Sequence, residues 1–584
     1  SLSCLIIDKI KALSGIFLPL IFFGVLIIIF DYVIAGGGSA GCALAARLAE
    51  DPSVSVCIVE AGGKGRDLFI RMPAGNGFVF GNPRLDWGYE SVPQAGLDGR
   101  SIYFARGKAL GGTSIVNGMI YMRGVPADYD LWRQQGLEGW GYADLLPYFK
   151  RAEGSRDRRD AFHGQSGPLK TEPAANYSTL DKAFIDAAVA AGHRPLEDFN
   201  GADRTGVARN DSTVSRGIRQ SSAIAYLKAP PKNLTILTGQ QIARIVIEGK
   251  RAAGVETLNG QVIRAEREVI VCQGAFGTPH LLMLSGIGPA DHLQAHGITP
   301  IADLPEVGAN LADHVDVSMQ YASDRLDLSH AKYQRLDKAA MLMGRWLLNG
   351  SGPGGGAMFS AVLFHAFEDP ALPELEVFMT PMTIEENFGN GEEETAPLLQ
   401  RLGRKLLVRG RKAARPGIQI DINQERPKSL GSVRLAGADP RIHPLIDPNY
   451  FADARDLDEL VRGVHVMREV MAQPEIARYH KDETGIWKDA RTEAEIIHAI
   501  RQTAFTGHHP CSTARMGTDD GAVLDAELKV HGIEGLRVCD ASAMPSQITG
   551  NLYATVVMMA EKAADMILGR PALPHEDPRE ALHA

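Results

Sequence analysis

The chain has 584 residues, 45% hydrophobic and 22% charged, the proportions of an ordinary globular protein rather than a disordered or fibrous one. That length exceeds what one hydrophobic core organises, so two or more domains are expected. A formal net charge of -9 leaves no basic surplus to neutralise phosphates and excludes a general nucleic-acid binder.

The first distinctive stretch runs from Leu13 to Phe30, an uncharged apolar run with Lys9 and Lys11 just before it. Its length is of the order of a membrane span, about 20 residues. Three readings compete: a membrane anchor, a secretory signal, or sequence outside the working protein. Leu26 to Phe30 offers no small residues for signal cleavage. No polar linker separates the run from Asp31, where the first strand is expected to open. Residues 1–30 are therefore set apart as an anchor or as sequence foreign to the fold. The six cysteines are scattered and have no ligand-like spacing, which predicts free buried thiols in a reducing compartment and no metal site. The cytoplasm is the expected location, with membrane association through residues 13–30 as the variant.

Next comes a short apolar strand, Tyr32 to Ala35, running straight into Gly36-Gly37-Gly38-Ser39-Ala40-Gly41. A helix of small residues follows, then a second apolar strand, Val54 to Val59, which ends in Glu60. Gly36 permits the tight turn. Gly38 removes a Cβ that would hold a pyrophosphate away from the helix end, and Gly41 lets helix and strand pack closely. Glu60 can accept two hydrogen bonds from a ribose diol, which favours FAD or NAD over NADP. The motif does not choose between those two.

Two further stretches make that choice. Gly107-Lys108-Ala109-Leu110-Gly111-Gly112-Thr113-Ser114-Ile115-Val116-Asn117 is one, and the run from Gly274 to Gly288 is the other. Together they resemble the two signatures of the glucose–methanol–choline (GMC) oxidoreductases, a family of FAD enzymes. The resemblance extends from Asp31 to about Leu568 and is nearest to the choline, alkanol and sorbose dehydrogenase branch. It implies an α/β protein in which a Rossmann-like FAD-binding domain is interleaved with an antiparallel-sheet substrate-binding domain. The first would take 31–168, 212–316 and 503–570, the second 169–211 and 317–502, with a tail at 571–584. Besides Gly36, Gly38, Ser39, Gly41 and Glu60, the cofactor contacts it implies are Ala61, Arg106, Gly111, Gly112, Asn117, Gly118, Met119, Ile242, Gly274, Asp540, Ala541 and Asn551. Some relatives attach the flavin through a histidine at the position of Val116. Valine has no nucleophile, so non-covalent FAD is expected, and no metal.

The resemblance makes His509, in the His-Pro step of Gly507 to Gly517, the active-site base. An alcohol hydroxyl is a very weak acid, and hydride leaves its carbon easily only as the oxygen loses its proton. A neutral imidazole, with a pKa of about 6 to 7, is suited to take it. His508 has no matching role and is expected to pack. The second active-site position, usually Asn or His, is Tyr553, which can donate a hydrogen bond but is a poor base near neutral pH. A helix from Val556 to Leu568 is expected to aim its positive end at the flavin. The implied reaction oxidises an alcohol to an aldehyde or ketone, with hydride passing to flavin N5 and then to a quinone or other electron carrier. An oxygen-using oxidase and a non-redox flavoprotein of the same fold, a lyase or photodecarboxylase, are the alternatives. Gly350 to Gly356 and the acidic Gly391 to Glu394 are read as exposed loops.

Overall fold

The computed structural model describes residues 20–22, 25–385 and 413–582. In chain order its main elements begin with strand β1 (Val25–Ala35), helix α1 (Ser39–Leu48), strand β2 (Val56–Glu60) and helix α2 (Tyr142–Ala152). Helix α3 (Thr179–Ala190) and strands β3 (Gly206–Arg209), β4 (Leu234–Thr238), β5 (Ile242–Glu248), β6 (Arg251–Thr257) and β7 (Val262–Val271) follow. Then come α4 (Gly274–Leu284), β8 (Val315–Ala322), β9 (Ala361–His365), β10 (Leu375–Thr380) and β11 (Gly417–Gln424). The chain closes with α5 (Ala454–Met471), β12 (Phe505–Thr506), β13 (Leu536–Val538) and α6 (Tyr553–Leu568).

The first sheet has the order β4-β2-β1-β7-β6-β5, with β13 also paired to β7. Its centre is parallel: β4 on β2, β2 on β1, β1 on β7 and β13 on β7. Parallel strands are covered on both faces and so read as unbroken apolar runs. Val33, Ile34 and Ala35 of β1 and Val56, Cys57 and Ile58 of β2 are accordingly buried. Helices α1 and α2 both pack against α6. The join is ionic at one point, where the buried Glu561 carboxylate of α6 accepts from Arg47 of α1 and Arg151 of α2, each at 2.7 Å. Helix α4 lies against β5.

The first strand does not open at Asp31. It begins at Val25, and Ile27 to Phe30 pair with residues 262–265 of β7. The end of the apolar run is thus sheet rather than anchor, because β7 is long enough to offer it hydrogen-bonding partners. The run's earlier part falls largely outside the described residues. No described helix is long and apolar enough to cross a membrane.

The second sheet is antiparallel, in the order β12-β8-β11-β10-β9-β3. Its central pair β8 and β11 alternates strictly, as a sheet with two different faces requires. Val315, Val317, Met319 and Tyr321 of β8 join Ile418, Ile420 and Ile422 of β11 on one face, packed with Phe184 of α3 and Leu460 and Val464 of α5 in one core. Asp316, Ser318 and Gln320 face the other way, beside Gln419, Asp421 and Asn423. The expected α/β plan of two sheets interleaved along the chain is what the fold shows, although β12 (Phe505–Thr506) pairs with the edge of the second sheet rather than the first. The Gly350–Gly356 stretch is not an exposed loop throughout. Gly354 and Gly355 are buried, and the Trp346 indole beside them donates to Gly217 O at 2.7 Å. The acidic stretch Gly391 to Glu394 lies outside the described residues. The five described cysteines are buried and unpaired.

Candidate active site

The loops beyond the first sheet meet the polar face of the second around one cavity of about 1610 Å³. Ordinary small-molecule pockets hold about 300–1,000 Å³. This one extends from the glycine turn after β1 to His508 and His509, room for an extended cofactor with a substrate beyond it.

The glycine turn is built as a cradle. Gly36 has φ +110°, and a Cβ there would stand 2.6 Å from Cys272 O. Gly38 is the residue before α1 and gives no side-chain cap, so the helix presents first-turn amides to the cavity, an anion site of the usual kind. Across from it, a Cβ on Gly112 would come within 2.7 Å of Gly38 Cα. Gly36, Gly38, Ser39 and Gly112 line the cavity, whereas Gly41 and Gly111 do not. Those two act from behind. A Cβ on Gly41 would be 2.1 Å from Gly36 O, and the Gly111 amide donates to Gly37 O at 2.8 Å.

Glu60 also reaches the wall, with Ala61 next to it. Its carboxylate accepts from the amides of Gly37 and Gly62 at 2.9 and 2.7 Å, while burial pushes its pKa up. Ile242, Gly274, Ala541 and Asn551 lie on the wall as well, as do Val116 and the run Asn117, Gly118 and Met119. Asn117 is held by the buried Arg219, whose guanidinium donates to Asn117 Oδ1 at 2.7 Å. Asp540 borders the cavity but spends its oxygens on protein. It accepts from the Gly274 amide and Thr278 Oγ1 at 2.8 and 2.6 Å, and from Ser542, fastening the start of α4. Arg106 donates to His508 O at 3.0 Å and lies over the Phe276 ring, leaving Nη2 without a partner among the described residues. The uncapped helix end and the glycine cradle fit a dinucleotide pyrophosphate.

At the far end, His509 has two side-chain partners. Its Nδ1 is 2.9 Å from Nδ1 of His314, and its Nε2 is 3.0 Å from Asn551 Nδ2. His314 in turn reaches Ile548 O through Nε2 at 3.1 Å. A carbonyl only accepts, so His314 carries its proton on Nε2 and offers Nδ1 as an acceptor. His509 must then carry its own proton on Nδ1, and its Nε2 presents a lone pair. Burial, reinforced by His314, His508 and Arg106, holds the His509 pKa well below the usual histidine value, so the ring is neutral at physiological pH. Burial also pushes His314 down to about 3.

The backbone under His509 is pinned by Asp313. That carboxylate accepts from the His509 amide at 2.8 Å, Thr506 Oγ1 at 2.6 Å and Tyr450 OH at 2.5 Å. His508 packs, as expected, with its ring edge-on to Phe80. It sits at φ +63°, a conformation rare for a residue with a side chain. Tyr553 borders the cavity, but its hydroxyl donates to Gln220 O at 3.1 Å and meets Ser222 Oγ at 3.0 Å. A buried phenol needs partners, and it has found them away from His509. The side chain that does meet His509 Nε2 is Asn551, which the sequence reading had placed with the cofactor.

The N-terminal and C-terminal GMC oxidoreductase sequence profiles match residues 30–316 and 427–560. The chain belongs to the GMC oxidoreductase family. It is 40% identical to an oxygen-dependent choline dehydrogenase of Xanthomonas campestris pv. campestris, over 93% of this chain and 96% of that one. A protein of the same name from Pseudomonas fluorescens is also 40% identical, over 93% and 94% of the two chains. Among solved structures, pyridoxine 4-oxidase from Mesorbium loti superposes with a TM-score of 0.80 at 32% identity, covering 93% of this chain and 100% of that one. Formate oxidase from Aspergillus oryzae gives 0.81 at 28% identity, over 93% and 98%.

In this GMC oxidoreductase the electrostatics of the cavity centre on one more helix. Helix α6 starts at Tyr553, three residues before the Val556 start the sequence suggested, and its end has no side-chain cap. Leu552, Tyr553 and Val556 border the cavity, so roughly half a positive charge sits there. Asp313 and His314 were missed by sequence reasoning. Their only signal is position: the polar pair immediately precedes the alternating strand β8, on the side that leads into the cavity face.

Proposed function

We propose that His509 is the general base of an alcohol oxidation, with His314 fixing its tautomer and Asn551 as its neighbour. The protein is an FAD-dependent oxidoreductase that acts on the CH–OH group of a small alcohol and passes the electrons to an acceptor. Bound FAD supplies the two-electron acceptor. The observation that carries the reading is the lone pair on His509 Nε2, in a ring kept neutral by burial, where the Asn551 amide now donates and an alcohol hydroxyl would take its place. An alcohol whose hydroxyl hydrogen-bonds to Nε2 can lose that proton to it while its carbon gives up hydride. The Asn551 amide, 3.0 Å from the same nitrogen, is placed to orient the alcohol oxygen. The α6 end stabilises negative charge that develops in this part of the cavity.

Val116 in place of a nucleophile supports a non-covalent cofactor. Residues 31–168, 212–316 and 503–570 are assigned to the cofactor domain and 169–211 and 317–502 to the substrate domain, with strand β12 bridging them. A quinone or other carrier is the acceptor implied by the resemblance. Oxygen is the second reading, favoured by the similarity to oxygen-dependent choline dehydrogenases. Anaerobic addition of an oxidisable alcohol should bleach the flavin absorbance of the purified protein. No bleaching by any alcohol would sink the oxidoreductase mechanism proposed for His509. Comparing reoxidation by oxygen with that by a soluble quinone then identifies the acceptor.

A further inference from the structure

Behind the cavity wall lies a cation with no acid paired to it among the described residues. Arg219 ends a short hairpin, Val214–Ser215 on Ile218–Arg219, whose tip the Trp346 indole holds at Gly217 O. Its side chain is fully buried. The guanidinium donates to Ile70 O at 3.0 Å, Ser114 O at 3.4 Å and Asn117 O at 2.8 Å. It also donates to Asn117 Oδ1 at 2.7 Å and Asn76 Oδ1 at 2.5 Å. Every one of these acceptors is a neutral amide oxygen. The ionisable group whose field reaches it is the Tyr553 phenol, which burial keeps neutral. Burial pulls the guanidinium down to about 9, so it is still protonated near pH 7.

A buried charge without a counter-ion is costly, and neutral dipoles offset only part of that cost. What it serves is indicated by its partners. Asn76 and Asn117 both border the cavity. A guanidinium has donors and no acceptor, so the Asn117 oxygen must turn to it. That leaves Asn117 Nδ2, which has no partner among the described residues, for whatever fills the cavity. Charge balance points the same way. A hydride carries two electrons and one proton, so FAD that accepts one gains a negative charge. The proton lost by the alcohol goes to His509, whose lowered pKa means the ring does not keep it. The α6 end offers about half a positive charge. Arg219 offers a whole one that stays.

We propose that Arg219 is a positioning residue that raises the reduction potential of bound FAD. It holds Asn117 as an amide donor toward the cofactor and supplies the lasting counter-charge for the reduced form. This rests on FAD as the hydride acceptor of the reading above, and not on His509 or on the identity of the alcohol. A guanidinium that merely braced Ile70, Asn76 and Ser114 would favour oxidised and reduced FAD alike. A charge that faces no acid favours the state that has gained an electron pair. The two roles therefore separate in the ratio of the two affinities, which is what a reduction potential measures.

The test needs no alcohol. Midpoint potentials are read by equilibration with redox dyes, and the affinity of the apoprotein is measured for oxidised and for reduced FAD. The parent protein should hold reduced FAD at least tenfold tighter than oxidised FAD, placing its potential at least about 30 mV above that of free FAD. A potential at or below that of free FAD overturns the proposal without any variant. Arg219→Gln should weaken reduced FAD about tenfold while oxidised FAD changes less than threefold. Equal losses in both states would make Arg219 a brace and overturn its electrostatic role. Arg219→Lys keeps the charge and should stay within threefold of the parent in both. If Arg219→Gln does not hold FAD at all, the lysine variant decides: a parent-like potential supports the proposal, and a fall of about 30 mV in spite of the charge overturns it. Failure of every alcohol to bleach the flavin would sink the reaction at His509 and leave these potentials as they are.

Discussion

The two sheets of this molecule meet one cavity by opposite means. The first reaches it through backbone: a positive-φ glycine, an uncapped helix end, and glycines whose Cβ would strike a neighbouring carbonyl or Cα. The second reaches it through side chains on a regular, alternating face, where any of the polar residues could be exchanged without moving a strand. A cofactor common to a family needs invariant backbone, and a substrate that varies needs replaceable side chains. The difference teaches where to look for each kind of specificity.

Changes on the two sides should therefore fail differently, and the largest failure is at the chemistry itself. His509→Ala should slow anaerobic flavin reduction by about 10² to 10⁴, the usual worth of a general base, with flavin content unchanged. Loss of flavin instead would mean that His509 belongs with the cofactor cradle. On the backbone side, Gly41→Val should give protein with little or no FAD, since the added carbon would meet Gly36 O at 2.1 Å. The absorbance ratio of flavin to protein reads this directly. Glu561→Ala removes the shared partner of Arg47 and Arg151 and should cost about 3 kcal/mol, seen as earlier flavin release in a thermal melt.

Two smaller effects sharpen the contrast. Because the His509 pKa is depressed, its base form is present at neutral pH and is lost only as pH falls through that lowered value. The limiting reduction rate should then be level from pH 8 down to about 6.5, the ordinary histidine value. A rate that halves near pH 6.5 would show that the ring is not shielded as its surroundings require. The smallest effect is expected from Tyr553→Phe. Its hydroxyl is spent on Gln220 and Ser222, so the loss should be about 1 kcal/mol of stability, with flavin reduction changed less than tenfold. A dead Tyr553→Phe variant with intact flavin would return that hydroxyl to the chemistry.

The same contrast explains what was legible in the sequence. The β1–α1–β2 unit could be read because glycine at Gly36, Gly38 and Gly41 answers a steric demand that no other residue meets, and because buried parallel strands are unbroken apolar runs. His509 was legible only through the resemblance around its His-Pro step. Its partner His314 was not, since the two are distant in sequence and meet only when β8 forms beside β12. Tyr553 was read by position alone. Where a phenol points depends on which acceptors its burial leaves within reach, and Ser222 and Gln220 lie on another segment. The start of β1 was misjudged for a related reason. An apolar run looks the same whether lipid or a neighbouring strand will cover it, and the covering strand is β7, far along the chain.

The pairing of β13 with β7 has a consequence for how the protein is made. Residues 536–538 complete the side of β7 that continues where β6 ends, and α6, beyond them, covers α1. A ribosome releases the chain from the amino end, so the glycine turn emerges early but its sheet stays open until nearly the whole polypeptide is out. Contacts between such distant segments form slowly, and unpaired strand edges invite association with other chains meanwhile. FAD loading should thus be a late, post-translational event. Truncation just before Leu536 should yield colourless, aggregating protein even though every glycine of the cradle is present.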